Sequence, residues 1–199
     1  DKTYLVDNED LRKIDPDPLK QVKVQGNEDE RTVQTLWNEY GNIMQELSDA
    51  LKIDPASAVA IFAIESRGVG FWKKGHSVIR FEAHVFHKFW GKNHEETYRN
   101  HFKFNPTRRW TGQAYRSYPD AEWTDLHTGL DYQKREWEAI EIAKKLDEEK
   151  ALESLSIGAP QILGANYSRL GYSSVQEMFE HFNRDIRYHL FGFFDFLDD

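Results

Sequence analysis

The stretch AIFAIESRGVGFW, residues 60–72, ends an apolar run on a glutamate, Glu65. Asp54 is a good N-cap and Pro55 suits the first helical position, so the sequence predicts a helix from there to Glu65. The residues from Val59 to Ile64 are all apolar and leave this helix no polar face, which is typical of a buried helix. Gly68 supplies the stop signal. The sequence therefore predicts a core helix that ends on a carboxyl group.

Such a carboxyl group is locally unfavourable. The macrodipole makes the C-terminal end of a helix negative, and burial disfavours the charged form of an acid, so both effects favour protonated Glu65. A residue that is unfavourable for its local structure, in an otherwise consistent sequence, often marks a functional site. The alternative interpretation is that Glu65 reaches solvent or pairs with Arg67 or Arg80, since structural ion pairs also perturb such groups.

Composition limits the possible functions. The chain has 199 residues, which is enough for one domain with a sizeable core. Its net charge of −8 argues against a general nucleic-acid or anionic-lipid partner. It has no cysteine, which excludes disulfides, thiolate zinc sites and a cysteine nucleophile. No apolar run approaches the length of a membrane span, so membrane insertion is not expected.

The chain divides into an arm and a domain. Residues 1–30 carry Asp-Pro turn signals and little apolar periodicity, so they are predicted to form an arm or linker with short helical turns around Leu11 and Leu19. Residues 31–199 are predicted to form the functional domain. Apolar spacing within it predicts long helices over residues 31–51 and 131–154 and one last helix over residues 175–197, capped by Ser173 or Ser174.

The predicted class is mainly helical, an α+β arrangement with one small hairpin next to the helix that ends at Glu65. Residues 71–81 predict this hairpin, with a turn near Lys74-Gly75 and a second strand from Ser77 to Phe81. A short helix is predicted over residues 83–90. Residues 91–130 have no regular periodicity and are predicted to be an irregular, functional or mobile loop.

A second carboxylate, Glu82, follows the apolar strand directly. A helix that ends at Glu65 and a hairpin that returns to Glu82 could bring both groups to one cleft. Glycoside hydrolysis needs two such carboxyl groups, one protonated to donate to the leaving oxygen and one ionised to activate water or stabilise positive charge. The alternative is that Glu82 pairs with Arg80 or His84, or caps the following helix.

Other chemistries find less support. His84 and His87 could share one helix face, but no HExxH pattern exists and aromatic neighbours favour packing, so neither a metal nor a cofactor is expected. The hydroxyl of Ser66 has no histidine close in sequence, so a nucleophilic serine cannot be argued.

Three motifs resemble a known family. The segment DPASAVAIFAIES is similar to the catalytic helix of lysozyme-like muramidases and lytic transglycosylases, and SIGAPQILGANY, residues 156–167, resembles their Ser-x-Gly-x-x-Gln-Ile turn. VIRFEAHVF, residues 78–86, lies between them in the sequence, and the three motifs in this order resemble the N-acetylmuramidase family of modular phage endolysins over about residues 35–199.

The resemblance implies a lysozyme-like fold and cleavage of the β-1,4 bond between N-acetylmuramic acid and N-acetylglucosamine. By position, Glu65 matches the general acid and Glu82 the second acidic residue. The expected substrate-binding residues are Ser66, Gln161 and Asn166, together with the loop aromatics Trp110 and Tyr115, which could wall a glycan groove with Tyr118 and Trp123.

Two other functions stay open. A lytic transglycosylase would use Glu65 alone and give an anhydro product, although the presence of Glu82 favours hydrolysis. A non-catalytic glycan-binding protein could share the scaffold, since fold does not fix function. The expected partner is the peptidoglycan glycan strand, in the periplasm or outside the cell, and a monomer is expected.

Overall fold

The computed structural model describes residues 4–16, 20–66 and 69–197, apart from the side chains of Glu65 and Ser66. This part of the chain holds eight α-helices and three small antiparallel sheets, which confirms the predicted mainly helical, α+β class. None of its helices is both long and apolar enough to span a membrane. The helices are α1 (Glu28–Leu51), α2 (Pro55–Ser66), α3 (Ala83–Phe89), α4 (Glu95–His101), α5 (Tyr132–Leu146), α6 (Glu148–Glu153), α7 (Val175–Arg184) and α8 (Ile186–Leu197).

The first two helices pack against the last one. Asn27 starts α1 with a capping box, in which its side chain accepts from the Glu30 N–H at 3.0 Å and its own N–H donates to the Glu30 carboxylate at 2.8 Å. The carboxylate of Asp54 accepts from the Ser57 N–H at 2.9 Å at the start of α2, as the predicted N-cap requires. The buried side chains between these helices include Leu36, Ile43, Met44, Leu47, Val59, Phe62, Phe191 and Phe194.

The prediction that α2 is buried on all sides is wrong. Its buried residues lie on the side that packs against α1 and α8, and they are Ala58, Val59, Phe62 and Ala63. Ile61 is 40% exposed and Ile64 is 76% exposed on the other side. Apolar composition alone could not show that the helix is covered from one direction only.

The predicted hairpin forms, but its second strand is shorter than expected. Strand β1 (Phe71–Lys73) pairs with β2 (His76–Ser77) around Gly75, whose φ of +73° suits a tight turn. The chain then leaves this hairpin at Val78. Its N–H donates to the Gly70 carbonyl at 3.0 Å, and its carbonyl accepts from the Gly158 N–H at 2.8 Å.

Strand β3 (Ile79–Phe81) belongs to a different sheet, of order β3-β7-β8, with β7 (Leu155–Ile157) and β8 (Ile162–Leu163). Two side chains of α5 cover its other edge. Gln133 accepts from the Ile79 N–H at 2.9 Å and donates to the Ile79 carbonyl at 2.7 Å, while Glu136 accepts from the Phe81 N–H at 2.8 Å. These side chains satisfy backbone groups that a further strand would otherwise pair.

Residues 91–130 are not an irregular loop. They contain α4 and a three-stranded sheet of β4 (Phe102–Lys103), β5 (Ala114–Tyr115) and β6 (Thr124–Asp125). Two-residue strands are too short to give a periodic signal. The single helix predicted over residues 131–154 is also wrong. It breaks at Asp147, whose side chain accepts from the Lys150 N–H at 2.9 Å and starts α6. The single last helix predicted over residues 175–197 likewise breaks at Asp185, into α7 and α8.

The N-terminal segment packs onto α8. Leu5 is buried, and its N–H donates to the Asp195 carboxylate at 3.2 Å. The Arg187 side chain donates to the Ile14 carbonyl at 3.0 Å. The helical turn predicted at Leu11 is confirmed as a 3₁₀ helix, whereas Leu19 lies outside the described residues. The division into an arm (1–30) and a domain (31–199) stays a prediction.

Candidate active site

A cleft of about 630 Å³ opens beside the end of α2. Its size lies in the usual range of ligand-binding sites. Four parts of the chain form its walls: the segment after α2, strand β3, the N-terminal half of α5 with the residues before it, and the turn between β7 and β8. The lining residues are Val69, Val78, Ile79, Arg80, His127, Tyr132, Glu136, Gly158, Ala159 and Gln161.

Glu65 and Ser66 end the helix that leads into this cleft. Both belong to the last turn of α2, and Val69, a short distance further along the chain, lines the cleft. Their side chains lie outside the described residues. Their roles therefore stay predictions, supported by the position of the helix.

Glu82 stands at the end of β3, in a polar cluster next to the cleft. Its carboxylate contacts the Arg80 Nε at 2.8 Å, the Gln113 Nε2 at 2.8 Å and the His84 Nδ1 at 3.3 Å. Arg80 lines the cleft, whereas Glu82 is not among its lining residues. The pairing with Arg80 and His84 is the one that the alternative interpretation expected. Glu82 also occupies the N-cap position of α3 but makes no capping hydrogen bond.

The β7–β8 turn contributes Gln161. This residue has a left-handed backbone, with φ of +49°, and its side chain donates to the Gly158 carbonyl at 2.8 Å and to the Val78 carbonyl at 3.3 Å. It thereby ties the turn to the residue that precedes β3. Asn166, the other polar residue of the signature, lies in the 3₁₀ helix Gly164–Leu170 and does not line the cleft.

A buried histidine on α8 packs against the same turn. His189 accepts from the Ala159 N–H through Nδ1 at 3.1 Å and donates to the Phe182 carbonyl through Nε2 at 2.7 Å. A Cβ atom at Gly158 would lie 3.0 Å from the His189 Nδ1, so the turn and the ring are in close contact. Burial lowers the pKa of His189 to about 4, which keeps the ring neutral. Nothing in the sequence distinguishes this histidine from others in aromatic helices.

The opposite wall holds a histidine and a carboxylate. Glu136 is fully buried, and its Oε1 accepts from the His127 Nδ1 at 2.7 Å and from the His127 backbone N–H at 3.0 Å. His127 has a left-handed backbone, with φ of +66°. Its Nε2 is buried and has no hydrogen-bond partner among the described residues. Sequence reasoning missed both residues.

The loop aromatics have different environments. Tyr115 is a core residue, and burial followed by its hydrogen bond to Glu138 raises the pKa of its hydroxyl. Trp110 is 66% exposed but does not line the cleft. The Trp123 ring contacts two cationic groups, with Lys103 Nζ at 4.6 Å and Arg116 Cζ at 4.5 Å from its centroid. The structure therefore brings Gln161 to the cleft but neither Trp110 nor Tyr115.

The described residues contain no group of three or more His, Asp or Glu side chains that could hold a metal ion. His87 instead pairs with Glu95 at 2.8 Å, and His84 faces Glu82 and Gln113. Both rings also lie near the Phe104 ring, at 6.3 Å for His84 and 5.3 Å for His87, which agrees with the interpretation of these histidines as packing residues.

Comparisons with known proteins agree with the fold. A search of curated proteins finds no match. A similar solved structure is the crystal structure of the Burkholderia AP3 phage endolysin, with 24% sequence identity and a TM-score of 0.54 over 78% of this chain. The match covers 53% of that endolysin, so the chain spans about half its length. At this identity the likeness supports the lysozyme-like fold.

The sequence also matches the N-acetylmuramidase family over residues 54–199, from the N-cap of α2 onward. This range is well over half of the chain, and it contains every predicted site residue. The chain therefore belongs to the N-acetylmuramidase family, a class of glycoside hydrolases, as its motifs predicted.

Proposed function

We propose that this chain hydrolyses the β-1,4 bond between N-acetylmuramic acid and N-acetylglucosamine in the glycan strands of peptidoglycan, and so acts on the bacterial cell wall. The observation that carries the proposal is the cleft beside the end of α2, within the range that matches the family. A peptidoglycan strand is long and polar, and the cleft offers it Arg80 and Gln161 as hydrogen-bonding side chains.

In this proposal Glu65 is the general acid. It donates a proton to the glycosidic oxygen as the bond to the sugar breaks. The last turn of α2 favours this role, because the helix dipole there is negative and holds the proton on the carboxyl group. Ser66 is proposed to contact the substrate from the same turn.

Glu82 is proposed as the second carboxylate. Its contacts with Arg80 and Gln113 fix its orientation beside the cleft, without placing it in the lining. It is therefore proposed to act from a distance, by activating an ordered water or by stabilising the positive charge that develops at the sugar. Glu82→Gln should consequently lower turnover less than Glu65→Gln does.

The test is digestion of purified sacculi, followed by mass spectrometry of the soluble products. Glu65→Gln should lose about 100-fold to 10,000-fold in turnover, the range for a lost general acid. Glu39→Gln, an exposed substitution on α1, serves as the matched control. Near-normal turnover by Glu65→Gln would contradict the assigned role.

The products separate the remaining alternatives. Reducing-end muramic acid indicates hydrolysis, whereas products lighter by one water indicate a transglycosylase. Wild-type protein that binds sacculi but releases nothing would be a glycan-binding protein. A melting curve of each variant shows whether lost turnover reflects lost folding.

A further inference from the structure

The roles proposed above give the paired side chains of His127 and Glu136 in the cleft wall no part in binding or catalysis. We propose that His127 is a substrate-binding residue, whose Nε2 accepts a hydrogen bond from an O–H or amide N–H of the glycan, and that Glu136 is the residue that positions its ring. This inference rests on the proposed function, since it names a group that holds the same substrate.

The first support is the tautomer that the contacts impose. The Glu136 Oε1 accepts from both the backbone N–H and the Nδ1 of His127, at 3.0 and 2.7 Å. A carboxylate is an acceptor only, so the proton of the neutral ring lies on Nδ1. Nε2 then carries a free lone pair and is an acceptor. Carboxylates fix histidine rings in this way where a ring nitrogen acts on a substrate or metal.

The second support is the state of Nε2. It is buried and without a hydrogen-bond partner among the described residues, although His127 lines the cleft. Most buried polar atoms in proteins are paired, and an exception calls for an explanation such as an absent ligand. A small turn of the ring toward the cleft would give a bound sugar access to this atom.

The third support is the backbone of His127. A φ of +66° is unfavourable for a residue with a Cβ atom, and glycine or asparagine would adopt it more easily. The bonds to the buried Glu136 nevertheless hold His127 there. Backbone strain that the surroundings impose in this way clusters at ligand-binding and active sites.

The neighbouring residues agree with a sugar as the ligand. Tyr132 is 41% exposed and lines the same cleft, so it offers an apolar ring face. Arg80 and Gln161 add polar groups on the other walls. Amino sugars with N-acetyl groups present both hydroxyl and amide donors, and a neutral acceptor nitrogen suits these better than it suits an anion.

The binding test uses the Glu65→Gln protein, which should hold substrate without cutting it, and a peptidoglycan-derived tetrasaccharide as the probe. Adding His127→Asn removes Nε2 but keeps a residue that tolerates a left-handed backbone, and it should weaken binding about tenfold. His127→Gln places an amide group near the former position of Nε2 and should recover part of the loss. As a control, His87→Asn in the same Glu65→Gln protein breaks a comparable pair with Glu95 outside the cleft, so the affinity for the tetrasaccharide should stay unchanged.

A second measurement needs no change at His127. In Glu65→Gln protein with ¹⁵N-labelled histidine, the Nε2 resonance of His127 should shift on addition of the tetrasaccharide, while that of His87 should not. Glu136→Leu leaves Nδ1 without its acceptor and should remove the fixed tautomer, visible in the same spectrum without glycan, and this separates positioning from mere packing.

An unmoved His127 Nε2 resonance, with the tetrasaccharide bound and wild-type turnover intact, overturns the inference and leaves the proposed function standing. Equal affinity of the His127→Asn and parent proteins for the tetrasaccharide would likewise overturn the inference and leave the proposed function standing. Failure of the wild-type protein to cleave sacculi overturns the proposed function instead. The resonance shift then still decides whether His127 contacts a glycan.

Discussion

Acidification from pH 7 to pH 5 should destabilise the fold through His189, the histidine beneath the β7–β8 turn. Burial lowers its pKa from 6.5 to about 4 in the folded protein. Between these values the unfolded chain binds a proton that the folded chain does not bind. Stability is therefore fully present above about pH 6.5 and declines as the pH falls toward 4.

The size of the effect follows from the two pKa values. Within this window the free energy of unfolding falls by about 1.4 kcal/mol for each pH unit. From pH 7 to pH 5 the expected loss is about 2 kcal/mol, because the first half unit precedes the titration of the unfolded chain. With a urea m-value of about 2 kcal/mol/M, the midpoint of unfolding should fall by about 1 M.

The assay is urea unfolding at pH 7, 6 and 5, with His189→Gln as the comparison. Glutamine can accept from Ala159 and donate to Phe182, but it loses the ring contacts with Phe71 and Phe182, so this variant should be less stable at pH 7. Because glutamine does not titrate, its stability should also depend less on pH. Burial also lowers the pKa of His181, and this contribution is common to both proteins and cancels. Equal pH dependence of the two proteins would refute the reasoning.

The pH range of this experiment is chosen to avoid the titration of carboxylates. Hydrogen bonds from Ser173 lower the pKa of Glu177, and the hydrogen bond from His87 lowers that of Glu95. The stability that these carboxylates contribute is present above their unfolded pKa and is lost only as the pH falls through the lowered value. Measurements at pH 5 and above therefore report mainly on the histidines.

Three substitutions test other parts of the structure. Glu136→Gln should lower the free energy of unfolding by about 2 kcal/mol in urea melts, because the amide NH₂ of the glutamine would face a backbone or ring N–H that donates to the carboxylate in the wild-type protein. The exposed substitution Glu141→Gln on the same helix should change the free energy of unfolding little. Gly158→Ala should cost about 2–4 kcal/mol and reduce sacculus digestion, since φ is +77° and the new Cβ lies 2.8 Å from Phe182; unchanged stability would mean that the turn relaxes. Asp147→Ala should cost about 1 kcal/mol in thermal unfolding through loss of the α6 cap, and no change would show that this cap is dispensable.

Local signals made part of the fold predictable. The apolar spacing of α1, the N-cap at Asp54 and the turn at Gly75 each depend on residues that are close in sequence. The family motifs are also short local patterns in a fixed order, and they predicted that Gln161 lies at the cleft. The pairing of β3 with β7 joins residues far apart, such as Ile79 and Ile157, and leaves no local pattern.

The residues of the candidate site that escaped prediction show why local patterns are insufficient. Gln133 and Glu136 occupy the buried side of α5, where the spacing with Ile140 and Ala143 calls for apolar residues. These two polar interruptions of an apolar stripe were a readable signal of buried hydrogen bonding. His127 gave no such signal, because its importance arises from a backbone conformation and a carboxylate on another element.

The bond between Leu5 and Asp195 has a consequence for the order in which the protein folds. These residues are 190 positions apart, so this contact closes almost the whole described chain into one loop. Phe191 and Phe194 pack in the same buried cluster as Val59 and Phe62 of α2, so this helix lacks part of its packing until α8 has been synthesised. A ribosome-bound chain that stops before residue 186 therefore leaves part of the apolar side of α2 exposed. The complete packing of α2 thus arises late, after synthesis of α8.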